Sequence, residues 1–80
     1  MSETSRNIIG PQVKKARLAQ STPLSQASFA RILQIDGLRI DRSAIAKIET
    51  GRRPVSDIEL VTIAKALSVD VTWLLDREST

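Results

Sequence analysis

The most informative part of this chain is IDRSAIAKIETGRRP, residues 40–54. It begins with a helix-start signal, because the carboxylate of Asp41 can accept hydrogen bonds from the free amides of a first helical turn. Residues 42–49 follow with apolar positions at helical spacing, which predicts a short α-helix. Thr50 and Gly51 end this helix, since glycine adopts the left-handed conformation past a helix end at the lowest cost.

The predicted helix has two unlike faces. Ile45 and Ile48 are three residues apart on one face and are expected to be buried. The opposite face carries small, polar and basic side chains, namely Arg42, Ser43, Ala46 and Lys47. Such a face suits a DNA groove, but a solvated surface helix has the same composition. These residues alone leave both interpretations open.

The composition argues against several classes of function. Eighty residues make one domain, near the lower limit for folding without cross-links. The chain has no cysteine, which removes disulfides, iron–sulfur clusters and thiolate zinc sites. It also has no histidine, the commonest general base and metal ligand. No base lies at a spacing that would activate a nucleophile, so we expect neither an enzyme nor a cofactor.

Targeting signals are not evident in the sequence. No apolar run approaches the roughly 18 residues of a membrane span, and residues 1–7 lack the apolar centre of a signal peptide. The absence of cysteine is compatible with a reducing compartment. We therefore expect a cytoplasmic protein that binds no membrane and no small-molecule ligand.

The net charge of +3 is unevenly distributed along the chain. Residues 1–53 contain ten lysines and arginines against four acidic residues, a balance of +6. Residues 54–80 contain two against five, a balance of −3. The basic part is therefore the one expected to meet a polyanion.

Five helices are expected, between a flexible arm over residues 1–8 and a tail over residues 77–80. They are predicted over Pro11–Gln20, Gln26–Gln34, Arg42–Glu49, Asp57–Leu67 and Val71–Leu75. Four of the helix starts share one pattern, in which a capping residue is flanked by apolar residues at the N′ and N4 positions of a hydrophobic staple. The four capping residues are Ser25, Asp41, Ser56 and Asp70, and Glu59 adds a capping box to Ser56. The expected core comprises Phe29, Ala30, Leu33, Ile45, Ile48, Leu60, Ile63, Ala64, Leu67, Trp73 and Leu74.

The connection between the second and third helices is unusually long for a helix-turn-helix. Residues 35–40 lie between them, whereas an ordinary turn uses three or four residues. Gly37 is placed to close the second helix, and the apolar Leu38 and Ile40 are expected to pack against the core. The sequence therefore predicts a helix-turn-helix with an enlarged, ordered turn.

These features together resemble the Cro/C1-type, or XRE-type, helix-turn-helix family over residues 9–75. The resemblance rests on Arg17, Leu24-Ser25-Gln26, Phe29-Ala30, Ser43, Ile45, Glu49, Gly51, Pro54, Leu60, Ala64, Leu67 and Trp73-Leu74-Leu75. It implies an all-α, compact, five-helix lambda-repressor-like domain over residues 9–76, whose third helix enters the major groove. Ser68 stands where the family often has glycine, so we expect a less sharply formed end of the fourth helix.

The resemblance also implies roles for individual residues. Gln26 would lie at the phosphate-facing start of the second helix. The base-contacting positions of the third helix would be Arg42, Ser43 and Lys47, with Ala46 close to the floor of the groove. Thr50, Arg52 and Arg53 would lie beside phosphates. The enlarged turn departs from the family pattern, and it could either tilt the third helix or add a DNA contact of its own through Arg39. Arginine and lysine suit guanine edges, and basic loop residues suit phosphates.

One ion pair is predicted inside the domain, between Arg17 and Glu49. Glu49 is the last residue of the predicted third helix and lies beside its apolar face. The helix dipole disfavours a negative charge at this end, so Glu49 needs a cation. The two positions are typically paired in the family that the chain resembles.

The expected function is a sequence-specific, double-stranded DNA-binding transcriptional regulator, most simply a repressor acting by occupancy. A homodimer is expected, either in solution or only on DNA. Leu74 and Leu75 of the fifth helix are the expected contact, and the alternative is that these leucines belong to the core. The alternative is a protein-interaction module of the same fold, such as an antitoxin or partner-docking domain, using the acidic end from residue 70 to 80 and Trp73.

Overall fold

The computed structural model describes residues 5–76, which form five α-helices and no strand. The helices are α1 (Gly10–Leu18), α2 (Gln26–Ile35), α3 (Arg42–Glu49), α4 (Asp57–Leu67) and α5 (Val71–Leu75). The predicted bounds of α3, α4 and α5 are confirmed. The tail predicted over residues 77–80 lies outside the described residues. None of the described helices is long and apolar enough to cross a membrane.

The predicted end of α1 is wrong by two residues, because the helix stops at Leu18 rather than at Gln20. The side chain of Gln20 explains the difference. Its Nε2 donates to the Ala16 carbonyl at 3.0 Å and to the Leu67 carbonyl at 3.1 Å. It thereby occupies the acceptor that the backbone N–H of Gln20 would use in a continuing helix. The other two differences are of one residue each, since α1 begins at Gly10 rather than at Pro11 and α2 continues to Ile35.

Side-chain caps begin three of the helices as predicted. Ser25 accepts from the backbone N–H of residue 28, and Asp41 accepts from that of residue 44. Ser56 and Glu59 form the reciprocal capping box at the start of α4. Asp70 precedes α5 in extended conformation, but its side chain makes no cap hydrogen bond. The predicted start of α5 is therefore right, while the cap expected there is not formed.

The core lies where α2, α3 and α4 meet α1 and α5. Its largest fully buried apolar side chains are Phe29, Leu33, Ile40, Ile45, Ile48, Ile63, Leu67 and Leu74. Burial of each such side chain stabilises the fold by about 1.5–3 kcal/mol. Leu60 and Trp73, both expected in the core, are only half-buried at its edge. Ile9 and Val13 of the α1 region complete the core and were not among the residues predicted for it.

The enlarged turn is fastened at both ends. At its start Gly37 has a φ of +97°, and the N–H of Leu38 donates to the Leu33 carbonyl at 2.9 Å, which closes α2. At its end the side chain of Gln34 donates to the carbonyl of Ile40 at 2.9 Å, and Ile40 is buried. The prediction that Leu38 and Ile40 pack against the core is confirmed.

The end of α4 is sharply formed, contrary to the expectation from Ser68. This residue adopts the left-handed conformation itself, with φ 57° and ψ 41°. The N–H of Ser68 donates to the Lys65 carbonyl, and the N–H of Val69 donates to the Ala64 carbonyl at 3.0 Å. A non-glycine residue in this conformation costs about 1–2 kcal/mol in steric strain. The surrounding hydrogen bonds impose the turn despite that cost.

Candidate nucleic-acid interface

The outward face of α3 is a basic and polar surface over an apolar inner face. Ile45 and Ile48 are fully buried against the core. On the opposite side Arg42, Ser43 and Lys47 are exposed and Ala46 is half-buried. Within the described part of the chain, the three exposed side chains form no hydrogen bond or ion pair with another residue. Their polar groups are therefore available to an external partner.

The end of α3 is held in place by a buried ion pair. Arg17 Nε donates to Glu49 Oε2 at 2.7 Å, and Arg17 Nη2 donates to Glu49 Oε1 at 3.0 Å. The two side chains are only 7% and 3% exposed. Arg17 Nη1 also donates to the Leu24 carbonyl at 2.6 Å, so one guanidinium links α1, the start of α2 and α3. The ion pair predicted from the sequence is present with bidentate geometry, the strongest form of this interaction.

Gln26 has a role that its predicted phosphate contact did not include. Its Nε2 donates to Glu49 Oε1 at 3.1 Å, which turns the side chain toward the ion pair. The second N–H of the amide stays available, as does the backbone N–H of Gln26 at the first position of α2. A phosphate at this helix start would be favoured by the helix dipole. The geometry therefore leaves the predicted contact open while adding a structural one.

Two neighbouring arginines follow α3 in different environments. The exposed Arg52 donates through Nε to Thr50 Oγ1 at 3.1 Å, and Thr50 in turn donates to the carbonyl of residue 46 at 3.0 Å. Arg53 instead binds Glu59 with both ends of its guanidinium, at 3.2 and 3.1 Å. Arg53 also donates to the carbonyl of Pro54. The hydrogen bond from Arg53 lowers the pKa of Glu59, against the smaller opposing effect of burial.

Arg52 and Arg53 were both predicted to contact phosphates, but their charges are balanced differently within the domain. The charge of Arg53 is already balanced by Glu59, whereas Arg52 has no ion-pair partner among the described residues. The Arg53–Glu59 pair was not foreseen. The sequence predicts the capping box of Glu59, but nothing in the spacing indicates that the same carboxylate also binds an arginine preceding the helix.

The inner end of the expected flexible arm is bound to the domain. The Oδ1 of Asn7 accepts from the N–H groups of Ile9 and Gly10, at 3.1 and 2.9 Å. Its Nδ2 donates to the carbonyls of Ile48 and Arg53, at 3.0 and 2.8 Å. The assignment of residues 1–8 to a flexible arm therefore needs correction at residues 6–8. Residues 1–4 lie outside the described part.

Asn7 contacts α1 from outside the usual capping position. The N-cap residue of α1 is Ile9, which forms no side-chain cap hydrogen bond, and Asn7 stands two residues before it. The preference for asparagine at the N-cap position therefore does not identify Asn7 from the sequence. The contact is made tight by Gly10, where an added Cβ would lie only 2.5 Å from the Ile48 carbonyl oxygen.

The remaining predicted contact, Arg39, lies exposed in the enlarged turn between half-buried Leu38 and buried Ile40. These two apolar neighbours fix the backbone on either side of it. Its guanidinium forms no ion pair with another described residue. Arg39 thus adds a further uncompensated positive charge next to the start of α3.

The apolar surface lies elsewhere than expected. Leu74 is fully buried, so its predicted place in a dimer contact is wrong: it fills the core beneath α5. Leu75 is exposed as that prediction requires. Two apolar side chains of α4 are more exposed than Leu75, since Ile58 is 71% and Val61 57% exposed. With Asp57 and Thr62 they line a shallow depression.

The whole arrangement matches a known family. A helix-turn-helix family model aligns with residues 13–74, which is more than half of the chain. The chain belongs to the helix-turn-helix family of the Cro/C1 type. This helix-turn-helix domain is that of a DNA-binding regulator, in agreement with its basic α3 face. The helix-turn-helix match covers all of α2, α3 and α4. Neither the curated proteins nor the solved structures give a match.

Among the residues described, no group of acidic side chains could hold a metal ion.

Proposed function

We propose that this helix-turn-helix protein is a sequence-specific regulator of transcription that binds double-stranded DNA and represses by occupying its operator. The observation that carries this proposal is the exposed stripe of Arg42, Ser43 and Lys47 on a helix whose other face is buried. Because the buried face holds the helix in place, these three side chains extend toward DNA from fixed backbone positions. Regulation of a chromosomal site would place the protein in the cytoplasm.

In this proposal α3 lies in the major groove and its side chains contact bases. Arg42 and Lys47 donate to guanine edges, and the hydroxyl of Ser43 contacts either a donor or an acceptor. The methyl group of Ala46 faces the groove floor, where it can contact a thymine methyl. Each good bidentate contact discriminates between bases by about 1–3 kcal/mol.

Phosphate contacts would surround this helix and fix its position on the duplex. Gln26 at the start of α2, and Thr50, Arg52 and Arg53 after α3, are assigned to this role, and Arg39 adds a contact on the side of the enlarged turn. Arg53 should contribute less than Arg52, because a phosphate must compete with Glu59 for its guanidinium. Such contacts set affinity and position but carry no sequence information.

We further propose that the protein binds as a homodimer, which forms at least on DNA. One α3 helix covers only part of a helical turn, so useful specificity requires two half-sites about one turn apart. Leu75 and the α4 side chains Ile58 and Val61 are among the exposed apolar groups that could form such a contact, as is Ile35 at the end of α2. Footprints that show one half-site occupied by one protein molecule would remove the dimer from the proposal.

The test begins with selection of the preferred site from a random-sequence DNA library. Binding of that site and its single-base variants is then measured for Lys47→Ala and Arg52→Ala across a salt series. Lys47→Ala should lose about 1–3 kcal/mol at one base pair and relax preference there. Arg52→Ala should weaken binding equally for all sequences and lower the salt slope by about one unit. Arg53→Ala should lower the slope by less than Arg52→Ala does.

Lys65→Ala is the matched control, because this exposed lysine lies in the last turn of α4 and is not among the residues assigned to DNA contact. It should change neither the slope nor the preference. If Lys47→Ala weakens every sequence equally and leaves the preferences intact, α3 does not contact bases as proposed.

A partner-docking domain is the second candidate, favoured by the exposed Ile58 and Val61 on α4. The Trp73 of the earlier docking hypothesis is half-buried, which leaves the α4 side chains as the better apolar surface. Salt separates the two functions. DNA binding should weaken steeply as salt rises because counterions are released, whereas an apolar contact should not. Failure to retain any DNA from the library at low salt would favour docking.

A further inference from the structure

The segment before α1 is fastened to the loop that follows α3. Asn7 makes the central connection, since its Nδ2 donates to two carbonyls, one at the end of α3 and one within the loop. Beside it, the backbone N–H of Arg6 donates to the Gly51 carbonyl at 2.7 Å. Three independent hydrogen bonds thus join positions 6–7 to residues 48–53, which are more than 40 positions away in the chain.

This connection places Arg6 against the residue that directly precedes Arg52. Arg6 is exposed, and its guanidinium forms no hydrogen bond or ion pair within the described residues. The carboxylates that form ion pairs among residues 5–76 bind other arginines, because Glu49 binds Arg17 and Glu59 binds Arg53. Within these residues, Arg6 and Arg52 therefore both lack an ion-pair partner.

We propose that Arg6 is a further phosphate-contacting residue of the DNA interface, and that Asn7 is the positioning residue that holds it beside Arg52. The inference rests on the proposed function and extends it to a segment that precedes the helix-turn-helix. The donor suits a phosphate because an arginine guanidinium carries fixed donors and a permanent charge. The backbone hydrogen bond to Gly51 fixes the backbone position from which the Arg6 side chain extends, which reduces the conformational freedom lost on binding.

The test uses the full chain and its best DNA site, with binding measured across a salt series. Loss of one phosphate contact lowers the slope of log affinity against log salt by about 0.9. Between 50 and 200 mM salt, the affinity of the wild type should therefore fall about 3.5-fold more than that of Arg6→Ala. Arg6→Lys should keep most of the wild-type slope, and the base preferences should be unchanged in both variants. Lys65→Ala is again the control with an unchanged slope.

The role of Asn7 is tested with Asn7→Ser. Serine can still accept at the start of α1, but its shorter side chain has a single O–H and cannot replace both donations to the carbonyls of Ile48 and Arg53. This variant should lower the slope when Arg6 is present and should lower it no further in combination with Arg6→Ala. Circular dichroism confirms that each variant keeps its helices, so that a slope change reports on the contact. A further decrease in the double variant would overturn the positioning role.

The outcomes separate this inference from the function on which it rests. If the wild type binds DNA with a steep salt slope and Arg6→Ala keeps that slope, the contact through Arg6 is refuted while the DNA-binding proposal stands. If the wild type retains no DNA at low salt, the proposed function fails and the inference fails with it. A slope lowered by Arg6→Ala but equally lowered by Lys65→Ala would also overturn it, since only general charge would then matter.

Discussion

The buried pair of Arg17 and Glu49 gives the most quantitative test of how α3 is held. Removing one partner of such a pair leaves a buried charge without compensation, which typically costs about 3–5 kcal/mol. Arg17→Ala would leave Glu49 with Gln26 as its remaining donor, and Glu49→Ala would leave Arg17 with the Leu24 carbonyl. A domain of this size has a total unfolding free energy on the order of 4–12 kcal/mol. Each single variant should therefore lose a large share of its stability.

The double variant distinguishes a coupled pair from two separate charges. Once one charge has been removed, removing the second also eliminates the buried charge that the first removal left without a partner. The loss in Arg17→Ala/Glu49→Ala should therefore be smaller than the sum of the two single losses by about 2–3 kcal/mol. Lys14→Ala, which removes an exposed cation from the same helix, should change stability by no more than about 0.5 kcal/mol.

Urea unfolding followed by far-ultraviolet circular dichroism measures these free energies. The coupling should persist at high salt, because buried charges are screened much less than exposed ones. Additive losses, or a coupling that disappears when salt is added, would refute the claim that the pair holds α3 to α1. If the single variants are unfolded without urea, the pair Arg17→Met/Glu49→Leu keeps the test decisive. An apolar replacement of both partners should be close to wild type in stability, whereas two independent surface charges would predict no such recovery.

Three further predictions concern the rest of the domain. Ser68→Gly should raise the free energy of unfolding by about 1 kcal/mol in urea titrations, because it relieves the left-handed strain, whereas Ser68→Ala should not. Because the pKa of Glu59 is lowered from its ordinary value of 4.5, its stabilising contribution is complete above that pH and is lost as the pH falls through the lower folded value. The stability difference between the wild type and Glu59→Gln, which can keep the capping box, should therefore shrink on acidification; an unchanged difference would disprove the ion pair's contribution. Amide hydrogen exchange at Leu38 should be protected by its bond to the Leu33 carbonyl, and exchange at the rate of an unstructured peptide would contradict an ordered turn.

The parts of the fold that depend on local chemistry were predictable from the sequence. Hydrophobic staples gave the correct starts of α2, α3, α4 and α5, since each staple is a short-range pattern with a fixed spacing. Glycine at position 37 correctly predicted the close of α2. The end of α1 was not predictable in this way, because the contact of Gln20 to the Leu67 carbonyl spans 47 positions and no short-range pattern indicates it.

The candidate site shows the same division. The outward stripe of α3 follows from helical periodicity alone, because the inward positions are fixed by Ile45 and Ile48. The environment of Arg53 does not follow from periodicity, since it depends on the path of the loop toward Glu59. The contacts of Asn7 depend on a segment folding back across the end of α3, which no short-range pattern describes.

The separation of the two faces of α3 has a consequence for how this domain can change its target. The contacts that fix α3 come from its inner face, its cap and its ends: Ile45, Ile48, Glu49 and Asp41. Arg42, Ser43 and Lys47 contribute no hydrogen bond or ion pair to another described residue, so replacing them removes no interaction from the fold. Surface substitutions of this kind usually change stability by less than about 0.5 kcal/mol. The same residues would each govern about 1–3 kcal/mol of base discrimination. On the proposed function, substitutions at these three positions would alter the preferred DNA sequence while the scaffold that presents them stays intact.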